Sequence, residues 1–280
     1  MRFIGLGFAS HNSSVAVISM EGELLFYSEG ERTSRKKNDP LIKAVNLQFL
    51  DAGLKPLAKD DIIFVSNLDM YQKNFHCLRD PAERINMNFK DTAAFSEYRV
   101  FYVSHHLSHA MASFMFRTEP INEAFYICYD GLGLSSYYDS QCFSFGKISE
   151  NSLEEMEHSI PFQFSPALRL NRLVLPHTQH GEVAGKLMGL AGHITADRCR
   201  YIAHNETQKA VDKYQAQGLS EEVLTEYASH YHSFITDAKQ ILDVYSKKAS
   251  GCKNLVVGGG AFLALELNSY LHGLGHKILF

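Results

Sequence analysis

The densest run of side chains able to do chemistry is His105-His106-Leu107-Ser108-His109. His105 and His109 are spaced i, i+4, which on a helix stacks both imidazoles on one face a turn apart, the spacing by which a helix supplies two metal ligands. His106 and His109, at i, i+3, are a weaker alternative pair. A metalloprotease helix carries Glu directly after its first His. Here His106, Leu107 and Ser108 stand between, so no general base is built in and metal-assisted peptide hydrolysis is disfavoured. A helical His pair can equally be a polar patch, and Asp130 bears on that choice. It ends an apolar run just before a glycine turn, where a lone carboxylate is costly and a cation gives it a partner. The other reading of Asp130 is a turn-capping residue.

Two glycine clusters could approach an anion. Gly131 and Gly133 follow Asp130, and Gly258-Gly259-Gly260 leads toward a helix start, whose partial positive charge favours phosphate. Neither matches a P-loop or a dinucleotide fingerprint, so strand-end turns remain the alternative. Lys186, in Gly185-Lys186-Leu187-Met188-Gly189, is placed in a helical stretch and reaches either a phosphate or solvent.

The elements that must position these groups follow a repeated order. Residues 2–7, 13–19 and 23–28 read as three strands of an antiparallel meander, residues 41–52 as an amphipathic helix, and residues 62–65 as a buried strand. A strand at 100–103 runs into Ser104, an N-cap residue, and then into the histidine helix. At 124–130 the pattern restarts with an apolar strand, a turn at 130–133 and a strand at 137–145. Helical segments at 182–194 and 220–249, a strand at 254–257, a helix at 261–271 and a strand at 277–280 complete it. The recurrence predicts an α/β fold of two duplicated sheet-plus-helices units flanking a cleft, spanning 1–121 and 122–280, with a helical insertion at about 180–250. The first unit closes on a helix and the second on a strand, so a last helix is expected to be missing.

Composition narrows the function. With 27 Lys and Arg against 31 Asp and Glu, the net charge of −4 lacks the basic excess that nucleic-acid binding requires, and no nucleic-acid partner is expected. The sequence holds no apolar run of membrane-span length and no leader, so no membrane partner and a cytoplasmic location are expected. The five cysteines, Cys77, Cys128, Cys142, Cys199 and Cys252, are odd in number and widely separated, which indicates neither a disulfide frame nor a thiolate zinc site.

Taken in order, HNSSVAV, ERTSRKKND, HHLSHA, DGLG, GKLMGLAG and NLVVGGGAFLALELN resemble the nodulation- and antibiotic-type O-carbamoyltransferases over nearly the whole chain. The resemblance implies an actin-like (ASKHA, ribonuclease-H-like) domain similar to that of the tRNA threonylcarbamoylation ATPases. In that family a C-terminal YrdC-like domain makes carbamoyladenylate from carbamoyl phosphate and ATP. The actin-like domain then passes the carbamoyl group to a hydroxyl of a sugar or other small-molecule acceptor with a divalent metal, typically iron, with zinc or manganese as alternatives. By this likeness His105, His109 and Asp130 are metal ligands, His11 and Lys37 line the carbamoyl pocket as catalytic residues, and Lys186 with Gly131, Gly133, Gly259 and Gly260 holds the nucleotide. The sequence departs from the family at Asn12, Asn38, Leu134 and Ala264. The family's final metal-binding Asp and its YrdC-like domain are expected beyond this chain, which makes a separate YrdC-like chain an expected partner. A catalytically incomplete nucleotide- or partner-binding module is the competing expectation. An actin-like kinase fits less well, since the first turn offers Asn12, Ser13 and Ser14 and no acidic residue.

Overall fold

The computed structural model describes residues 1–8, 13–30, 32, 35, 45–66, 98–115, 117, 119–134, 140–159, 188–189, 191–202 and 220–279. Two compact units divide the chain, Met1–His105 and His106–Phe280.

The first unit is built on β1 (Phe3–Phe8), β2 (Ser13–Ile18), β3 (Leu24–Glu29), β4 (Ile62–Ser66) and β5 (Arg99–Val103), in the spatial order β3-β2-β1-β4-β5. β1 pairs antiparallel with β2 and β2 with β3, whereas β4 and β5 run parallel to β1. The β2–β3 hairpin closes on Gly22 at φ +88, a left-handed backbone that glycine adopts without a Cβ penalty. Alternation sorts the strands: Ile4, Leu6, Val15, Val17, Ile63 and Val65 point to one face and bury with Phe49 of α1 (Val45–Asp51). On the other face the Phe3, Phe64 and Phe101 rings form a row, with centroids 6.2 and 5.6 Å apart. Asp61, 1 % exposed, ties this unit's start to β4. Its carboxylate accepts from the Arg2 backbone N–H at 2.9 Å, the Arg2 guanidinium at 2.5 and 3.1 Å, and the Ala58 N–H at 2.9 Å.

The second unit repeats that topology. Its strands are β6 (Glu123–Leu134), β7 (Ser140–Ser149), β8 (Leu153–Ser159), β9 (Asn254–Gly258) and β10 (Lys277–Leu279), ordered β8-β7-β6-β9-β10 with the same antiparallel and parallel pairings. Helices cover both faces. Ile127, Tyr129, Phe143, Phe145, Leu255 and Val257 pack under α3 (Glu221–Lys248) and α4 (Leu265–Gly273). Tyr126, Ile148 and Val256 pack instead under Ala110 and Phe114 of α2 (His105–Met115), the helix whose first residue closes the first unit. A strand buried on both sides reads as a continuous apolar run, which is why Ala124–Tyr129 shows no alternation in sequence. α3 is held by Ser220, whose side chain accepts from the Val223 N–H, and carries acids in its first turn and lysines in its last, both favourable to the helix dipole.

Three sequence expectations are corrected. Residues 130–133 are not a turn: β6 runs on through Leu134, with its register to β7 shifting between Tyr129 and Gly133. Gly131 lies within that irregularity, and Gly133 rejoins the ladder opposite Gln141. The helix expected at 261–271 is a 3-10 turn, Gly260–Leu263, followed by α4, because Ala264 takes an extended ψ of 108 between them. β8 was not expected at all. Its alternating Glu154, Met156 and His158 are the exposed positions of an edge strand, a pattern that resembles a polar loop in sequence. Among the described residues no helix is long and apolar enough to cross a membrane.

His276, 6 % exposed, precedes β10 and has its Nε2 2.6 Å from Ser246 Oγ on α3. Burial lowers its pKa from the ordinary histidine range. The unfolded chain therefore takes up this proton first, so the stabilisation is complete above the unfolded value of about 6.5 and is lost as pH falls from there toward the folded value. Urea unfolding between neutral and mildly acidic pH should show a shallower loss of stability in His276→Gln than in the wild type. Equal slopes would contradict a buried neutral imidazole.

Candidate metal centre

α2 begins one residue after β5, with buried Ser104 at the junction. The i, i+4 spacing then does what the sequence required of it. One ligand atom each from His105, His109 and Asp130 falls within 4.8 Å of the others. His109 Nε2 lies 3.1 Å from Asp130 Oδ2, with His109 37 % and Asp130 20 % exposed, while His105 is buried. Two imidazoles and one carboxylate on this scale suit a divalent first-row metal, and three protein ligands leave coordination positions open. The donor set fits the implied metal. Among the described residues no thiol joins the cluster. Burial, and then the Asp130 charge, push Cys128 well above the usual thiol range and Cys142 up to about 11, so both stay protonated at neutral pH.

The glycine run braces this cluster. A Cβ on Gly258 would sit 2.8 Å from His109 Cβ, and one on Gly259 would sit 2.5 Å from the Tyr129 carbonyl oxygen and 3.1 Å from Asp130 Cβ. A Cβ on Gly260 would meet Asp130 Oδ1 at 3.1 Å. Gly259 also holds φ +93. The residues expected to cradle phosphate thus lie directly against two of the three candidate ligands. His106, the other partner considered for His109, turns away: it is fully buried, with Nδ1 3.1 Å from Ser144 Oγ on β7. Sequence reading missed Ser144, since a lone serine in an apolar strand carries no periodic signal. His11, Lys37 and Lys186 lie outside the described residues.

No family model matches the chain, and no curated protein matches it. Its fold does match solved structures. Full-length HypF in the phosphate- and nucleotide-bound form is 12% identical with a TM-score of 0.53, over 99% of this chain and 43% of that one. HypF from T. kodakarensis is 13% identical with a TM-score of 0.53, over 99% of this chain and 44% of that one. Component A of the Acidaminococcus fermentans (R)-2-hydroxyglutaryl-CoA dehydratase is 13% identical with a TM-score of 0.51, over 99% of this chain and 90% of that one. The chain has the actin-like ASKHA fold. It spans less than half the length of the HypF chains it resembles. In actin-like terms, the repeated five-strand sheet is the duplicated unit, and the metal candidates sit on the helix after the first sheet and on the leading strand of the second.

At Gly259 alanine meets both a left-handed backbone and a carbonyl oxygen at 2.5 Å. Gly259→Ala should cost about 2 kcal/mol or more in urea unfolding. Gly273→Ala, which meets nothing within 4 Å, should leave stability unchanged or slightly raised. Equal effects at the two positions would contradict the close approach.

Proposed function

We propose that the chain is the actin-like part of a carbamoyltransferase, which passes a carbamoyl group from carbamoyladenylate to a hydroxyl of a sugar or natural product. The observation that carries this is the convergence of His105, His109 and Asp130 within 4.8 Å, the ligand set that the carbamoyltransferase-like motifs assign. A divalent metal, iron first and zinc or manganese otherwise, would supply a Lewis acid that polarises a carbamoyl oxygen and lowers the pKa of the acceptor hydroxyl. His105, His109 and Asp130 would hold it. Gly131, Gly133, Lys186, Gly259 and Gly260 are assigned to the nucleotide, and His11 and Lys37 to the carbamoyl group. The phosphate- and nucleotide-bound form of HypF supports nucleotide binding on this fold. The subdomains are taken as 1–121 and 122–280, and carbamoyladenylate would come from carbamoyl phosphate and ATP on a YrdC-like domain or partner chain.

A second reading, a nucleotide- or partner-binding module without transfer chemistry, is supported by another structural neighbour. Component A of the dehydratase has the same fold at nearly the same size, 90% of it being covered.

Two measurements separate these readings. Elemental analysis after anaerobic reconstitution should find metal in the wild type and at least about tenfold less in His109→Ala. Equal content in both, or none in the wild type, removes the metal centre and leaves the module reading. Calorimetry with ATP and ADP should detect binding at millimolar concentration. No heat and no thermal shift would remove the nucleotide assignment common to both.

A further inference from the structure

The sequence HHLSH offers two overlapping ligand pairs, His105 with His109 and His106 with His109, and neighbouring residues on a helix point about 100° apart. The two pairs are then centred about 50° apart around the helix, so a roll of α2 about its axis by roughly that angle would exchange one pair for the other. Three contacts on the sheet side of α2 oppose that roll. His106, 0 % exposed, hydrogen-bonds through Nδ1 to Ser144 Oγ at 3.1 Å, and Ser144 is itself 0 % exposed on β7. Seven residues on, two helical turns later, the Ser113 hydroxyl donates to the Val257 carbonyl at 3.0 Å. Between them, His109 Cβ fits only because Gly258 has none.

We propose that the His106–Ser144 hydrogen bond is a rotational lock on α2: it withdraws His106 from the metal centre and presents His105 with His109 to Asp130. His106 is a positioning residue on this account and not a ligand. The inference rests on the reading of His105, His109 and Asp130 as a metal centre. A hydrogen bond buried at the foot of the helix is effective in this role because it is directional, so it forms at the one rotation of α2 that brings Nδ1 to the Ser144 hydroxyl. The bond therefore penalises every rolled position of α2.

Cobalt(II) titration of the full chain, followed by its visible absorption, tests this. Ser144→Ala, which removes the hydroxyl that His106 meets, should weaken cobalt affinity about 10- to 100-fold and change the spectrum, as loss of a partner that orients a ligand does. Ser144→Thr, which keeps the hydroxyl, should restore both. His106→Asn places an amide near the position of Nδ1 and should bind cobalt with the wild-type spectrum. That variant keeps the test decisive if Ser144→Ala does not fold. A folded Ser144→Ala with wild-type affinity and spectrum overturns the lock while leaving the metal centre standing. Loss of cobalt in a folded His106→Asn also overturns it, by making His106 a ligand. A wild-type chain that takes up no cobalt overturns the metal centre itself, and the lock with it.

Discussion

The second unit depends on how closely α2 lies against its sheet. The helix backbone at His109 approaches β9 so nearly that a methyl group at Gly258 would stand 2.8 Å from His109 Cβ. One residue on, Gly259 passes within 2.5 Å of the Tyr129 carbonyl, counted from where its Cβ would be. Interiors at native density have no slack to absorb such overlaps. Glycine at 258 and 259 is therefore the condition for bringing a helix-borne imidazole within 3.1 Å of a strand-borne carboxylate. The glycine run does this by lacking side chains, whatever else its N–H groups bind.

That approach is braced from both sides of the sheet. Phe114 and Ala110 of α2 bury against Tyr126 and Val256, while α3 and α4 bury Tyr129, Phe143 and Val257 from the opposite face. A strand clamped in this way has little freedom to move, so Asp130 leaves it in a fixed direction. The irregular register between Tyr129 and Gly133 interrupts the pairing with β7 at Asp130, within a strand that runs on to Leu134. The first sheet has the same strand order but buries its aliphatic face under α1, with Phe64 and Phe101 left 36 % and 51 % exposed on the other.

Much of this was legible in the sequence. Strand alternation at Ile4, Leu6, Val15 and Val17 marked the first meander, and the i, i+4 spacing of His105 and His109 marked a shared helix face, because both signals are local periodicities. The restart of the pattern at residue 124 gave the duplicated topology. What escaped depends on distant contacts. Asp130-Gly131-Leu132-Gly133 has turn composition, yet pairing with β7 keeps it in the strand. β8 hides behind edge charges. The preference for His105 over His106 was legible in the spacing and the resemblance, whereas the contact that occupies His106 was not, because Ser144 stands thirty-eight positions away. The roles proposed for His11, Lys37 and Lys186 rest on sequence motifs alone.

X-ray absorption at the metal edge of the anaerobically reconstituted chain bears most directly on the proposed centre. Two imidazole nitrogens with oxygen donors completing the shell, and loss of one imidazole in His109→Ala, are the expected result. A sulfur-containing shell, or a shell whose imidazole count does not change in His109→Ala, would contradict it.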